Sequence, residues 1–354
     1  MKAAVYHGAR DVRVEDVPDP AIVETTDMIV RMRSTSICGS DLYLYLGEAD
    51  ALVSKGETTI GHEIVAEVLE VGKDVVRFKI GQRVTFPYSV SCGTCFACRV
   101  GQTAHCATSG KAIFGFGVAF GNLGGTQAEY VRVPLADSHA ELVPDGITDE
   151  QGLFLSCNLP AAVKVVEEAQ ITAADTVALL GCGPTGLLAL HLALQRGPAK
   201  VLAFDRVAHR LAMAKQLGAD TYDIDAVDPV QVALDATDGR GVDSVIEFVG
   251  RGPAFTAAVS MVRPGGIISG GGVFLERDHP VSLFDLYFKN VRVHLNGFAN
   301  AKTRMWEAAR LIAAGRIDPS LLLSHRYTLE QTPEAYRTFE AKQDGVFKTL
   351  ITPS

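Results

Sequence analysis

The chain has 354 residues, of which 47% are hydrophobic and 21% are charged, a composition typical of a globular protein with a sizeable core. This length predicts two domains. The formal net charge of -8 argues against a nucleic-acid partner, because phosphate binding requires clustered Lys and Arg. The polar N-terminus lacks the apolar core of a signal peptide, and no run is long enough to span a membrane, so we expect a cytoplasmic protein.

Residues 1–157 contain short runs rich in Val and Ile that Gly and Pro interrupt. Examples are GHEIVAEVLEVGKDV, FKIGQRVTF and TQAEYVRVPLAD. Such runs are typical of β-strands. The sequence therefore predicts a β-rich, barrel-like first domain.

Two separate groups of possible metal ligands lie within this domain. The first group is a lobe at about residues 90–107 that contains four cysteines. Closely spaced sulfurs can surround one tetrahedral ion, so this lobe predicts a structural zinc site. Two disulfides or an iron–sulfur cluster are the alternatives. Its cysteines are Cys92, Cys95, Cys98 and Cys106.

The second group is Cys38 with His62 and Glu63, which offer the thiolate, imidazole and carboxylate typical of catalytic zinc. Spacing alone does not bring these residues together. An isolated His or Cys is more often a hydrogen-bonded or buried residue without a metal.

From residue 158 to residue 299 short apolar strands alternate with helical patterns. TVALLGCG, PTGLLALHLALQRG, AKVLAFD and RVAHRLAMAKQLGA begin the series. This alternation predicts a six-stranded, doubly wound parallel sheet of the Rossmann type. The tail from residue 300 to residue 354 adds a helix and a strand that we expect to rejoin the first domain.

A glycine motif in LLGCGPTGLLAL follows the first of these strands and opens a helix. Gly181 permits the tight turn, Gly183 lets a pyrophosphate approach the backbone, and Gly186 allows close packing of the helix. A purely structural turn is the alternative. Other candidate cofactor contacts are Pro184, Thr185, Val249 and Gly272.

Asp205 ends the next apolar strand, where a carboxylate accepts the hydroxyls of an adenosine ribose. A negative charge there repels the 2′-phosphate of NADP, so the sequence favours NAD. Arg206 keeps NADP open as an alternative.

The whole chain resembles the zinc-containing medium-chain alcohol dehydrogenases, through CGSD, GHEIVAEVLEVGKDVVRFKIGQRV, the four-cysteine lobe, GGTQAEYVRVP and GCGPTG in that order. The resemblance is greatest to the formaldehyde dehydrogenase and the threonine or polyol dehydrogenase branches. It implies a GroES-like catalytic domain and a Rossmann cofactor domain, with one catalytic and one structural zinc ion per chain.

The resemblance also implies roles for the residues around the catalytic zinc. Cys38, His62 and Cys157 would be the ligands, and Glu63 could approach or replace one of them. Asp41 would hold His62, while Ser40 would relay the substrate proton. If Cys157 is only a buried residue, Glu63 completes the site instead.

Three positions depart from the family pattern. Close relatives often carry a carboxylate where Cys157 stands, and many carry a histidine at Tyr43 that passes the proton to solvent. Gly39 replaces a cation that some relatives place on the pyrophosphate, which leaves Lys348 as the candidate for that contact.

The resulting prediction is reversible oxidation of a small alcohol to an aldehyde or ketone, through a zinc-bound alkoxide and hydride transfer to NAD. A dismutase with tightly bound NAD and a non-catalytic nucleotide-binding protein are the alternatives.

Candidates for shaping the substrate pocket are Tyr43, Tyr45, Phe114, Phe116 and Leu286, all of which could equally be core residues. The apolar strand VRVHLNG could pair across a twofold axis, so we expect a dimer or, more specifically, a tetramer.

Overall fold

The computed structural model describes all 354 residues. The chain forms two units, of which unit 1 comprises Met1–Pro160 with Asn300–Ser354 and unit 2 comprises Ala161–Ala299. The first boundary between the two units thus lies after residue 160, whereas the sequence predicts a boundary after residue 157. None of the helices has the length and apolar character needed to cross a membrane.

The first segment of unit 1 consists mainly of short strands. They are β1 (Lys2–Gly8), β2 (Asp11–Asp16), β3 (Met28–Thr35), β4 (Ile64–Val71), β5 (Arg83–Thr85), β6 (Tyr130–Val133) and β7 (Glu141–Leu142). Its helices are brief: α1 (Asp41–Tyr45), α2 (Phe96–Arg99), α3 (Ala136–His139) and α4 (Asp149–Leu153), with 3-10 turns at Asp50–Leu52, Thr103–His105 and Val118–Phe120.

Strands and helices then alternate through α5 (Asn158–Glu168) and unit 2. The strands are β8 (Thr176–Leu180), β9 (Lys200–Asp205), β10 (Asp220–Asp223), β11 (Val242–Glu247), β12 (Val262–Gly270) and β13 (Arg292–Leu295). The helices between them are α6 (Pro184–Leu194), α7 (Ala208–Leu217), α8 (Pro229–Asp235), α9 (Gly252–Met261) and α10 (Leu283–Phe288).

The returning segment completes unit 1. It contains α11 (Met305–Ala313), β14 (Leu323–Thr328), α12 (Thr332–Ala341) and β15 (Lys348–Thr352), with 3-10 turns at Ala301–Arg304, Pro319–Leu322 and Leu329–Gln331. The last strand, β15, pairs with β3 of the first segment. The strand β14, which pairs with β15, is one that the sequence analysis does not separate from the neighbouring helix.

The main sheet of unit 1 has the strand order β14-β15-β3-β4-β5-β7, with β6 paired to β3, and β1 and β2 form a separate ribbon. Alternate side chains of β3 and β4, such as Met28, Val30, Ile64 and Ala66, enter one buried core. This is the pattern of an antiparallel sheet with one face covered. It confirms the predicted β-rich domain.

The sheet of unit 2 has six parallel strands in the order β10-β9-β8-β11-β12-β13. All five residues of β8 and all six of β11 are buried, as expected for strands covered on both faces. The strand order reverses between β8 and β11. This confirms the predicted doubly wound sheet, whose ligand site lies at the carboxyl ends of the strands at that reversal.

Candidate metal centres and cofactor site

The four cysteines of the lobe converge on one point. Their sulfurs lie within 4.8 Å of one another, with Cys92 and Cys98 4.0 Å apart and Cys95 and Cys106 3.9 Å apart. Sulfurs bound tetrahedrally at 2.3 Å are about 3.8 Å apart, so the donor set fits zinc. All four thiols are free, which argues against the disulfide alternative.

Backbone N–H groups prepare these sulfurs for a metal. The amides of Thr94 and Cys95 donate to Cys92 Sγ, and the amide of Cys92 donates to Cys106 Sγ at 3.3 Å. Burial raises the pKa of Cys92, but hydrogen bonds from Thr108, Thr94 and the backbone lower it by a larger amount. The resulting pKa is about 5, below the ordinary value of a thiol. Cys92 therefore favours the thiolate, the form that binds zinc, at neutral pH, whereas burial raises the pKa of Cys98 to about 12, so a metal would displace the proton of Cys98.

The second cluster is assembled by strand pairing. Thr35, the last residue of β3, pairs with Ile64, the first residue of β4. Cys38 follows β3 and His62 with Glu63 precede β4, so the antiparallel pairing brings them to the same end of the sheet. Their ligand atoms and that of Cys157 all lie within 4.8 Å of one another.

Asp41 contacts His62, the partner that the family resemblance implies, and also Cys38. One carboxylate oxygen accepts from the backbone N–H of Cys38 at 2.8 Å, and the other lies 2.9 Å from Nδ1 of His62. Burial lowers the pKa of His62, but the charge of Asp41 and its hydrogen bond more than reverse this effect. With Nδ1 held, Nε2 is the nitrogen that is available to a metal.

Cys157 lies just before α5 and contacts Cys38. Its thiol donates to Cys38, which lowers the pKa of Cys38 well below its ordinary value; the opposing effect of burial is smaller, and His62 lowers the pKa further. The same contact, together with burial, raises the pKa of Cys157. Two thiols and an imidazole thus share one buried site, in which a metal would displace a proton.

Lys348, the residue expected to contact the pyrophosphate, is buried in unit 1. Its side chain is 1% exposed, and its ammonium lies 2.5 Å from Glu63 and donates to the carbonyl of Ile37 at 3.0 Å. The charge that the sequence analysis assigns to the pyrophosphate is therefore neutralised inside unit 1 by Glu63. Burial raises the pKa of Glu63 to about 7, against the opposing charge of Lys348.

The remaining candidates around this cluster separate into two groups. Ser40 is half-buried and makes no capping hydrogen bond at the start of α1, and Phe116 lies 5.6 Å from the His62 ring between centroids. Tyr45 instead stacks on Tyr336, and Phe114 packs against Phe86.

Tyr45 and Phe114 are thus core residues, and Leu286 packs against the core of unit 2. Tyr43 is half-buried in α1. Tyr88, whose ring lies 6.1 Å from His62 at an edge-on angle, has no signal in the sequence.

The glycine turn between β8 and α6 has the geometry that its motif predicts. Gly181 has φ +92, and a Cβ on Gly186 would lie 2.0 Å from the carbonyl oxygen of Gly181. Gly183 precedes Pro184 and Thr185 at the start of the eleven-residue α6, and the nearest atom to a Cβ placed on Gly183 would be Nη1 of Arg210, at 3.8 Å. Free backbone N–H groups at such a helix end attract a phosphate.

Asp205 ends β9 beside this turn. Its carboxylate accepts from the backbone N–H of Cys182 at 2.7 Å and from those of Arg206 and Val207. The Arg206 side chain points to solvent near Asp225. Arg210, for which the sequence gives no signal, is half-buried, and its Nε is shielded from solvent without a hydrogen-bond partner. Burial lowers the pKa of Arg210 against the opposing charge of Asp205.

Val249 and Gly272 lie in the loops after β11 and β12. Val249 is 43% exposed, whereas Gly272 is buried and a Cβ there would lie 2.3 Å from the amide nitrogen of Gly250. Both loops are at the carboxyl end of the sheet. Glu247, the last residue of β11, is a further buried polar residue that sequence reasoning misses.

Comparisons with known proteins agree with this arrangement. The alcohol dehydrogenase GroES-like domain matches residues 24–145, and the zinc-binding dehydrogenase domain matches residues 184–314. A Cupriavidus necator alcohol dehydrogenase is 35% identical over 370 residues, covering 100% of this chain and 99% of the relative.

Two solved structures extend the likeness to the fold. The alcohol dehydrogenase TADH from Thermus sp. ATN1 has a TM-score of 0.92 at 34% identity, with all of both chains covered. A zinc-binding dehydrogenase from Sinorhizobium meliloti bound to NADP has a TM-score of 0.81 at 29% identity, covering 99% of each chain. The chain belongs to the zinc-dependent medium-chain alcohol dehydrogenase family.

Proposed function

We propose that the protein catalyses the reversible oxidation of a small alcohol to an aldehyde or ketone, with zinc at the Cys38 cluster and NAD as the hydride acceptor. The observation that carries this proposal is the buried cluster itself. A protein that only bound nucleotide would need neither its metal ligands nor Asp41 behind His62. When bound, zinc supplies a Lewis acid for the alcohol oxygen and NAD supplies the hydride acceptor.

Cys38, His62 and Cys157 are the proposed protein ligands of the zinc ion. Glu63 is the proposed additional ligand, which would join or leave this set. The formal negative charge of two thiolates, with a neutral imidazole, equals the positive charge of one zinc ion. Adding Glu63 would leave one negative charge, which Lys348 neutralises. The paired lysine therefore lets the site exchange Glu63 for substrate with little change in its net charge.

Asp41 and Ser40 have separate proposed tasks. Asp41 fixes the His62 tautomer so that Nε2 faces the ligand cluster. Ser40 accepts the proton of the substrate hydroxyl, since its own hydroxyl is not used to cap α1. Tyr43, one helical turn further on, cannot replace a histidine as a base near neutral pH, so onward transfer proceeds through water or ribose.

The cofactor proposal rests on unit 2. The Gly181–Gly186 turn would receive the pyrophosphate and Asp205 the adenosine ribose. The Asp205 carboxylate disfavours a 2′-phosphate by charge, although a relative of similar fold binds NADP. A variant Asp205→Asn keeps the shape of the carboxylate, and we expect it to narrow the preference for NAD over NADP.

The four-cysteine lobe is proposed to hold a second, structural zinc ion. Four protein sulfurs leave no open position for a substrate. We also propose self-association through unit 2, because β13 is an edge strand with Leu295 59% exposed, and α10 exposes Leu283, Phe284, Tyr287 and Phe288.

Turnover with free NAD and NADP would test the proposal. The purified protein should reduce NAD in the presence of at least one member of a panel of primary alcohols, secondary alcohols, polyols and formaldehyde adducts. Cofactor retained through purification, with aldehyde disproportionation in place of net NADH formation, would favour the dismutase. Nucleotide binding without turnover on any substrate would favour a binding protein.

A further inference from the structure

Glu247 occupies a special place in the sheet of unit 2. It is the last residue of β11, in register with Leu180, the residue before the glycine turn. The side chain is fully buried. It therefore lies where the strand order reverses, at the carboxyl end of the sheet.

Glu247 joins two loops. Its Oε1 accepts hydrogen bonds from the backbone N–H groups of Val249 at 2.6 Å and Gly250 at 2.7 Å, in the loop after β11. Its backbone carbonyl accepts from the N–H groups of Gly271 and Gly272, in the loop after β12. The side chain thus bonds the first loop and the backbone carbonyl bonds the second, so both loops contact this one residue.

The second carboxyl oxygen, Oε2, is buried without a hydrogen-bond partner. It faces Gly272, where a Cβ would lie 2.6 Å away. Burial raises the pKa of Glu247 to about 7, opposed only by the N–H groups of Gly250 and Val249. A negative charge on an oxygen without donors is costly, so the neutral acid suits this position.

No charge of a neighbouring side chain contributes to the pKa shift of Glu247. On the loop after β12, Glu276 accepts from the N–H of Gly252, and His279 contacts Thr256 on α9. On α5, Glu168 pairs with Lys164 and accepts from Asn296. The strands on either side place uncharged Leu180 and Gly270 beside Glu247.

The position of the two loops indicates which half of the cofactor they meet. Asp205 lies on β9, on one side of the glycine turn, and would take the adenosine. The loops after β11 and β12 lie on the other side of β8 in the sheet. A dinucleotide that spans the strand reversal would therefore place its nicotinamide half on these loops.

We propose that Glu247 is a positioning residue for the nicotinamide half of the cofactor: as a neutral acid it holds the loops 248–250 and 271–273 in the binding shape, and its ionisation loosens them. This inference rests on the proposed use of a nicotinamide cofactor. The sign of the pH effect follows from the form that binds: if the neutral acid holds the loops in the binding shape, the cofactor complex keeps the proton, so affinity falls as the pH rises.

Binding of NADH and of ADP-ribose, which lacks nicotinamide, separates this role from a general structural one. For the wild type, the Kd for NADH should rise about tenfold more than that for ADP-ribose between about pH 6 and about pH 8.5. Glu247→Gln, an uncharged replacement of the same shape, should remove this difference. Glu276→Gln, which also alters a carboxyl group bonded to a backbone N–H, should keep it.

Glu247→Ala should weaken NADH binding about tenfold and leave ADP-ribose binding within about twofold. The inference is overturned if Glu247→Gln keeps the wild-type pH dependence, or if Glu247→Ala weakens both ligands equally. If the alanine variant does not fold, the comparison of Glu247→Gln with Glu276→Gln decides. A wild type that binds ADP-ribose but neither NADH nor NADPH would instead refute the proposed function.

Discussion

The two cysteine-containing clusters of unit 1 are built in opposite ways. The four sulfurs of the lobe come from one stretch of fifteen residues, Cys92 to Cys106, and backbone N–H groups of the same stretch bind them. The buried cluster takes Cys38, His62, Glu63 and Cys157 from three distant segments, and depends on the pairing of β3 with β4. A local site can form before the domain does, whereas the buried site forms only with the domain.

The largest effect should come from Cys38→Ser, which removes a ligand of the buried cluster. We expect turnover to fall by more than the factor of about 10 to 100 typical of groups behind the ligands. Zinc content should fall by one ion per chain while the lobe keeps its ion. Unchanged turnover would contradict the assignment of Cys38. Cys157→Ser, measured in the same assays, distinguishes a zinc ligand at position 157 from a buried cysteine that binds no metal.

Cys95→Ser tests the lobe. Loss of a structural metal is among the few single changes that cost more than about 4 kcal/mol, so the thermal unfolding temperature should fall markedly. Turnover per folded molecule at low temperature should change far less than in Cys38→Ser. Intact stability with abolished turnover would instead indicate that the lobe is the catalytic site and the buried cluster the structural one.

Asp41→Asn tests the support behind His62. It keeps the hydrogen bond to the Cys38 amide but loses the charge beside Nδ1. We expect metal affinity or turnover to fall about 10- to 100-fold, measured by competition with a chelator and by steady-state kinetics. Asp27→Asn, which changes a buried aspartate paired with Arg132 in the same unit, is the control and should leave metal affinity unchanged.

His139 gives the smallest expected effect and sharpens the contrast with His62. It is equally buried, but neither ring nitrogen has a hydrogen-bond partner, and its ring contacts those of Phe86 and Phe114. Burial, with a smaller effect of Lys302, lowers the pKa of His139. The unfolded chain therefore binds a proton that the folded chain does not.

The free energy of unfolding should consequently fall as the pH drops below about 6.5, by at most about 1.4 kcal/mol per pH unit from this residue. His139→Leu should remove that part of the pH dependence, as followed by urea unfolding at several pH values. His7→Gln, at a histidine paired with Glu15, serves as the control. An unaltered acid slope in His139→Leu would show that His139 is protonated in the folded protein.

Features built from local contacts are predictable from the sequence, whereas features built from distant contacts are not. The sheet of unit 2, the glycine turn and the four-cysteine lobe each have a signal within a few residues. The buried cluster needed the family resemblance, because Cys157 is 119 positions from Cys38 and nothing local connects them.

Lys348 has surroundings that only the strand pairing reveals. Its position in the sequence suggested a cofactor contact, but the pairing of β15 with β3 buries it against Glu63. Glu247 and Arg210 were missed because a buried charged residue in a strand or helix has no distinctive pattern. Their roles are visible only when the loops and strands that enclose them are known.

We propose that one chain holds two zinc ions of different kinds. An anomalous difference map at the zinc edge, from crystals grown without chelators, would locate both ions. We expect two peaks per chain: one among the four lobe cysteines, and one within bonding distance of Cys38, His62 and Cys157. A single peak at the lobe, in protein that is fully active, would contradict it.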